Sequence, residues 1–135
     1  MSDLRPASDI RAYHAHIYYD PVRTRGDAAR LREGISALFP DAIVGRWHDE
    51  LVGPHTVSMY QVAFTIADFP KIVPWLMLNH GGLSILIHPE TGNGKMDHLL
   101  HPLWLGERLP VYPARLSGDL PEIEGWVPLT AELPA

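Results

Sequence analysis

Eight histidines stand in this 135-residue chain, and four of them fall where strand pairing would bring them together. His14 and His16 are separated by one residue in Tyr13-His-Ala-His-Ile-Tyr-Tyr19. Side chains alternate along an extended chain, so two imidazoles at that spacing share a face. Neutral imidazole is the commonest ligand for divalent transition ions, and it also shuttles protons near neutral pH. Two such rings on one strand can converge on one cation. His55 follows Gly53-Pro54, and His88 ends the apolar run that begins at Leu83. His98 follows Asp97 in a segment that reads as a loop, as does His101. His80 sits among apolar residues and reads as structural; His48 flanks a hairpin.

Other chemistries are poorly provided for. The chain has no cysteine, which excludes disulfide scaffolds, thiolate zinc sites, iron–sulfur clusters and cysteine nucleophiles. Gly92-x-Gly94-Lys95 is only a fragment of a phosphate loop. No Gly-x-Ser-x-Gly elbow supports Ser58 or Ser84 as a nucleophile. A formal net charge of −5 argues against nucleic acid as a partner. The four tryptophans read as packing groups rather than a base-stacking platform.

The elements that must position these histidines follow from periodicity. Residues 1–11 read as a polar N-terminal arm. Tyr13 to Tyr19 is a strand, rich in aromatic and β-branched residues and ended by Asp20-Pro21. Thr24 to Phe39 reads as a helix with Ala28, Leu31, Ile35 and Leu38 on one face, Thr24 as N-cap and Pro40 as stop. Gly26 and Gly34 weaken that helix. Ala42 to His48 and Thr56 to Ile66 read as two strands around a turn. A helix follows Asp68, carries Val73, Leu76, Met77 and His80, and stops at Gly81-Gly82. Leu83 to His88 is a fourth strand.

The order β-α-β-β-α-β predicts an α+β, ferredoxin-like antiparallel sheet with helices on one face. Its first strand should neighbour the third and fourth. The more apolar set Tyr13, Ala15, Ile17 and Tyr19 should face the helices, and His14, His16 and Tyr18 the open side. The fold domain is expected to span 12–113, with a proline-rich C-terminal tail over 114–135. The chain holds 13 prolines, about twice the average share. No apolar run approaches the ~18 residues of a membrane span, and residues 1–13 lack a signal-peptide core. The expected location is the cytoplasm, without a membrane partner. An open sheet face also suggests a homodimer.

Several motifs together resemble the DOPA 4,5-dioxygenase family. They are Tyr13 to Tyr19, Gly53-Pro-His-Thr56, Leu83 to Gly92, Asp97-His98 and Trp104-Leu-Gly106. They span about residues 12–111 in the family's order. The resemblance implies a ferredoxin-like fold, a non-haem iron(II) site built from histidines, and extradiol cleavage of a catechol such as L-DOPA by O₂. Where the family commonly has Glu in the third strand, this chain has Gln61.

Extradiol cleavage needs a redox-active metal with open positions. On this resemblance the favoured ligands are His16, His55 and His88, with Glu90 or Asp97 as possible carboxylate substitutes. His14 is a fourth candidate, as ligand or acid–base group, and His98 a second acid–base candidate. Asp97 could orient one of these rings. Tyr18 and Trp104 would wall the aromatic substrate. Zinc or nickel could replace iron in purified protein, since affinity orders favour them. Two other readings stand beside the dioxygenase: a non-catalytic module for metal or small aromatic ligands, and a cofactor-free monooxygenase or isomerase using histidine acid–base chemistry.

Overall fold

The structure, a computed structural model, describes residues 4–134. It is α+β: three α-helices and one five-stranded sheet in the order β2-β3-β1-β4-β5. β1 is Ala12–Tyr18, β2 Ile43–Val44, β3 Met59–Phe64, β4 Ile85–Glu90 and β5 Leu103–Leu105. The helices are α1 Arg25–Leu38, α2 Phe69–Asn79 and α3 Gly94–Leu99. Every paired neighbour is antiparallel. The central strand β1 lies between β3 and β4, as the sequence requires.

Alternation along β1 decides the two faces. Ala15, Ile17 and Tyr19 join Tyr60, Val62, Phe64, Ile85 and Ile87 in the main core. α1 covers it with Ala28, Leu31 and Ile35, and α2 with Ile72, Val73 and Leu76. Burying each Leu or Ile contributes about 1.5–3 kcal/mol, so this face supplies most of the hydrophobic stabilisation. Tyr60 keeps its buried hydroxyl satisfied by donating to the Ala28 carbonyl at 2.8 Å.

Helix ends differ from expectation at the N-termini of both α1 and α2: Asp68, expected as the N-cap of α2, makes no side-chain cap bond. Thr24 does precede α1, but its Oγ1 accepts from the Asp20 N–H at 2.7 Å instead of capping the helix. Asp20 Oδ1 in turn accepts from Val22 and Arg23, which closes the β1–α1 turn. Gly34 is a packing residue rather than a weak point. A Cβ there would stand 2.7 Å from the Trp75 ring, so glycine permits the close approach of α1 and α2.

Three expectations are corrected. The second strand is only Ile43–Val44; beyond it the ladder is irregular, with Gly45 N–H donating to Gln61 O and a lone bridge from His48 to Met59. The segment bearing His98 and His101 is not simply a loop, because it holds α3 and leads into the edge strand β5. The second sheet face is not open. Tyr18, Met59 and Leu86 are buried there under Val57, Trp104 and Leu109. Apolar residues flanking the histidines must also leave water, and the later segments of the chain provide that cover.

The cover is pinned by hydrogen bonds to its backbone. Tyr112 N–H donates to Pro54 O at 2.7 Å, and Thr56 Oγ1 to Pro110 O at 2.8 Å. Lys95 N–H donates to Ser117 O at 2.9 Å, and Asn93 Nδ2 to Asp119 O at 3.0 Å. No helix among the described residues is long and apolar enough to cross a membrane.

Candidate metal centre

Five imidazoles gather on the second face of the sheet. β1 contributes His14 and His16, and β4 contributes His88 directly opposite His14. His98 comes from α3, which begins four residues after β4 ends. His55 comes from the loop before β3, where it bridges Val111. Ring centroids lie 3.9 Å apart for His88–His98, 4.1 Å for His16–His55 and 5.1 Å for His16–His88. His14 is 5.2 Å from His88. His16, His55 and His88 are buried; His98 is partly so, and His14 stands at the edge with its side chain 26% exposed.

The outward ring nitrogens are tied down. His88 Nδ1 donates to Pro89 O at 2.9 Å, and His98 Nδ1 donates to Gly94 O at 2.8 Å. A carbonyl can only accept, so both rings carry their proton on Nδ1 and keep a lone pair on Nε2 when neutral. His14 Nδ1 faces Glu90 Oε1 at 2.9 Å. His55 Nδ1 is 2.7 Å from the Tyr18 hydroxyl. Four of the five rings are therefore oriented through Nδ1, the arrangement that metal-ligating histidines use.

His16 is the exception. Its Nε2 lies 3.1 Å from His88 Nε2, while its Nδ1 is buried without a partner. A buried polar atom left unpaired costs about 1–3 kcal/mol. One nitrogen each from His14, His16 and His88 lie within 4.8 Å of one another, and so do nitrogens from His16, His55 and His98. His16 belongs to both triads. The sequence reading grouped His16, His55 and His88; the compact groupings in the structure pass through His14 and His98 as well.

Electrostatics favour neutral rings. Burial, then the neighbouring imidazoles His55, His88, His98 and His14, hold the His16 pKa well below its ordinary value. Burial and His98 do the same for His88 against the opposing effect of the Pro89 carbonyl. His55 is pushed down to about 3 by burial, His98 and His48. His98 is lowered by burial, partly offset by Gly94 and Asp97. A packed set of neutral nitrogens with one orphaned donor atom fits a divalent transition ion.

The remaining candidates take other places. Asp97 is buried, and its two carboxylate oxygens accept from Thr91 N–H at 2.9 Å and Thr91 Oγ1 at 2.5 Å. It anchors the turn into α3 next to His98. Glu90, at the end of β4, touches His14 rather than the centre of the cluster. Gln61 is half-buried opposite His16. The Tyr18 and Trp104 rings stack with centroids 6.0 Å apart and planes 16° from parallel. The Tyr18 phenol is pushed up by burial and stays protonated. His80, bonded through Nδ1 to Leu83 O at 2.9 Å, is structural as read.

Two features escaped the sequence reading. The position of His98 depends on α3, whose Asn93 N-cap accepts from Met96 N–H; the Asn93-Gly94 pair after a turn was the available signal. His55 lies in a loop ahead of β3 rather than opening that strand, and residues 110–112 hold it there. A cavity of about 340 Å³, lined by Tyr13, Phe69, Ile87, Pro89 and Leu103, contains none of the five clustered histidines.

A five-histidine cluster on an antiparallel sheet defines an α+β protein with a candidate metal centre. Comparison with known proteins then assigns its family. The model of the Dopa 4,5-dioxygenase family matches residues 13–114, and the chain belongs to that family. It is 32% identical over 123 residues to a DOPA 4,5-dioxygenase of Amanita muscaria, covering 86% of this chain and 54% of that protein. It is 36% identical over 118 residues to an uncharacterized 21.2 kDa protein of Botryotinia fuckeliana, covering 82% of this chain and 63% of that one. The chain thus spans less than two thirds of either fungal relative. It also resembles the crystal structure of a proposed dioxygenase from Nostoc punctiforme, with TM-score 0.77 and 49% identity. That match covers 80% of this chain and 92% of the other.

Proposed function

We propose that this protein is a non-haem iron(II) extradiol dioxygenase that opens the ring of a catechol, such as L-DOPA, with O₂. The observation that carries this reading is the cluster of five imidazoles in which His16 is shared by two triads. Membership of a dioxygenase family supports it. We read the first four strands as the ferredoxin-like arrangement, with β5 added at the edge. A cytoplasmic homodimer completes the proposal, with the exposed β2 edge at Ile43 as the surface free to pair.

His16 and His88 are the proposed central ligands, since their Nε2 atoms face each other at 3.1 Å. His14 or His55 completes a three-histidine set with them, and His98, which shares the second triad with His16 and His55, is kept as the acid–base group. Bound iron(II) would supply a redox-active centre with positions open to both catechol oxygens and O₂. The reaction balances without an external reductant: the ring C–C bond beside the hydroxyls breaks, the ring carbons are oxidised, and both atoms of O₂ enter the product.

The chain's own residues bind, orient and move protons. His98 is neutral at pH 7 because burial lowers its pKa, so its Nε2 is available to accept a catechol proton and return it later. Tyr18 holds the His55 ring, and Trp104 stacked on it forms the apolar wall proposed for the substrate ring. Val57, Leu86 and Leu109 around them exclude water. The test is metal-free protein loaded anaerobically with Fe(II), then given L-DOPA and O₂. One O₂ consumed per yellow ring-opened product supports the proposal. Metal and catechol binding without oxygen uptake would favour a non-catalytic module.

A further inference from the structure

We propose that Glu90 is a positioning residue that fixes the proton of His14 on Nδ1 and leaves its Nε2 for the metal. This inference rests on the reading of the histidine cluster as a metal centre. The geometry has three parts. Glu90 Oε1 is 2.9 Å from His14 Nδ1, and the same oxygen is 3.7 Å from His88 Nδ1. His88 already donates Nδ1–H to the Pro89 carbonyl, so Glu90 is not needed to set that ring. His14 has no carbonyl in that role, and Glu90 supplies its acceptor.

Placement in the sheet makes the contact a built one. Glu90 pairs with Ala12 across β1 and β4, its own carbonyl accepts from Arg11 N–H at 2.9 Å, and His14 lies opposite His88. The carboxylate therefore sits two residues along the strand from His88 on the same face. The other nearby carboxylate, Asp97, has both oxygens engaged by Thr91. Glu90 is thus placed to balance the charge of a divalent ion while touching the outer nitrogen of a ligand. A histidine–carboxylate contact of this kind raises ligand basicity and fixes the ring. Its side chain is only 36% exposed, yet it lies outside both apolar clusters, so replacing it spares the core.

The test uses Co(II) titration of the full chain, followed by its visible spectrum, with the His14 tautomer read from ¹⁵N-labelled protein loaded with Zn(II). Glu90→Ala should weaken Co(II) binding about 10–100-fold and shift His14 away from the Nδ1–H form. Glu90→Gln keeps an acceptor oxygen and should recover most of that loss. Both variants should retain the ligand-field spectrum at saturating Co(II). Unchanged affinity and tautomer in Glu90→Ala would overturn the inference while leaving the metal centre intact. A changed spectrum at saturation would make Glu90 a direct ligand and overturn it in the other direction. Failure of the unaltered protein to bind Co(II) would instead refute the underlying metal centre, and with it this inference.

Discussion

His16 and His88 meet across neighbouring strands with their Nε2 atoms 3.1 Å apart, although their backbones are not paired with each other. His16 is paired with Leu86, and His14 with His88, so the contact runs diagonally over the sheet. His88 keeps its proton on Nδ1 for Pro89, so its Nε2 offers a lone pair toward His16. The pair either shares one proton or directs two lone pairs at one cation. His16→Ala removes the residue common to both triads. It should lower divalent-ion affinity by more than the roughly 10–100-fold expected for loss of an outer partner. Isothermal titration with Co(II) checks this, and binding within threefold of the unaltered protein would contradict it.

Tyr18→Phe removes one oxygen and leaves the ring stacked on Trp104. His55 then loses its Nδ1 partner at 2.7 Å. Stability should fall by about 1 kcal/mol, the ordinary worth of such a bond. Metal affinity should fall about tenfold through misorientation of His55. Urea unfolding and metal titration read the two effects separately.

The metal-free protein should weaken as pH falls. His16, His55, His88 and His98 all have folded pKa values below the ordinary 6.5, with His55 at about 3. Below pH 6.5 the unfolded chain binds protons that the folded chain refuses. Each such imidazole then costs about 1.4 kcal/mol per pH unit until its folded pKa is reached. The contribution is fully present above 6.5 and is lost on acidification. Unfolding curves at pH 7.5 and 5.5 should differ clearly, and coincident curves would contradict the burial of neutral rings.

Asp97→Ala frees Thr91 and loosens the start of α3, where His98 resides. The loss of bonds to a buried carboxylate should cost about 1.5–3 kcal/mol. Thr91→Val removes only the hydroxyl partner and should cost less. Thermal unfolding of the two variants gives the comparison, and equal stability of Asp97→Ala and the parent would rule out the anchoring role.

Much of the centre was legible because it sits on regular strands. The one-residue spacing of His14 and His16 fixes their common face, and the apolar alternation of Ala15, Ile17 and Tyr19 says which face is core. His88 followed from the expected pairing of the first and fourth strands. His55 and His98 were harder to place. α3 is six residues long, too short for helical periodicity to declare itself, and β5 has three. The loop bearing His55 takes its shape from Pro110 and Tyr112, more than fifty residues away. Contacts of that range leave little local trace in the sequence.

The most direct test of the central claim is oxygen uptake by anaerobically Fe(II)-loaded protein given L-DOPA, measured beside His16→Ala. The account predicts one O₂ consumed per ring-opened product in the unaltered protein and no uptake above background in His16→Ala. Equal uptake by both proteins would contradict it, because the cluster around His16 would then not be where the chemistry occurs.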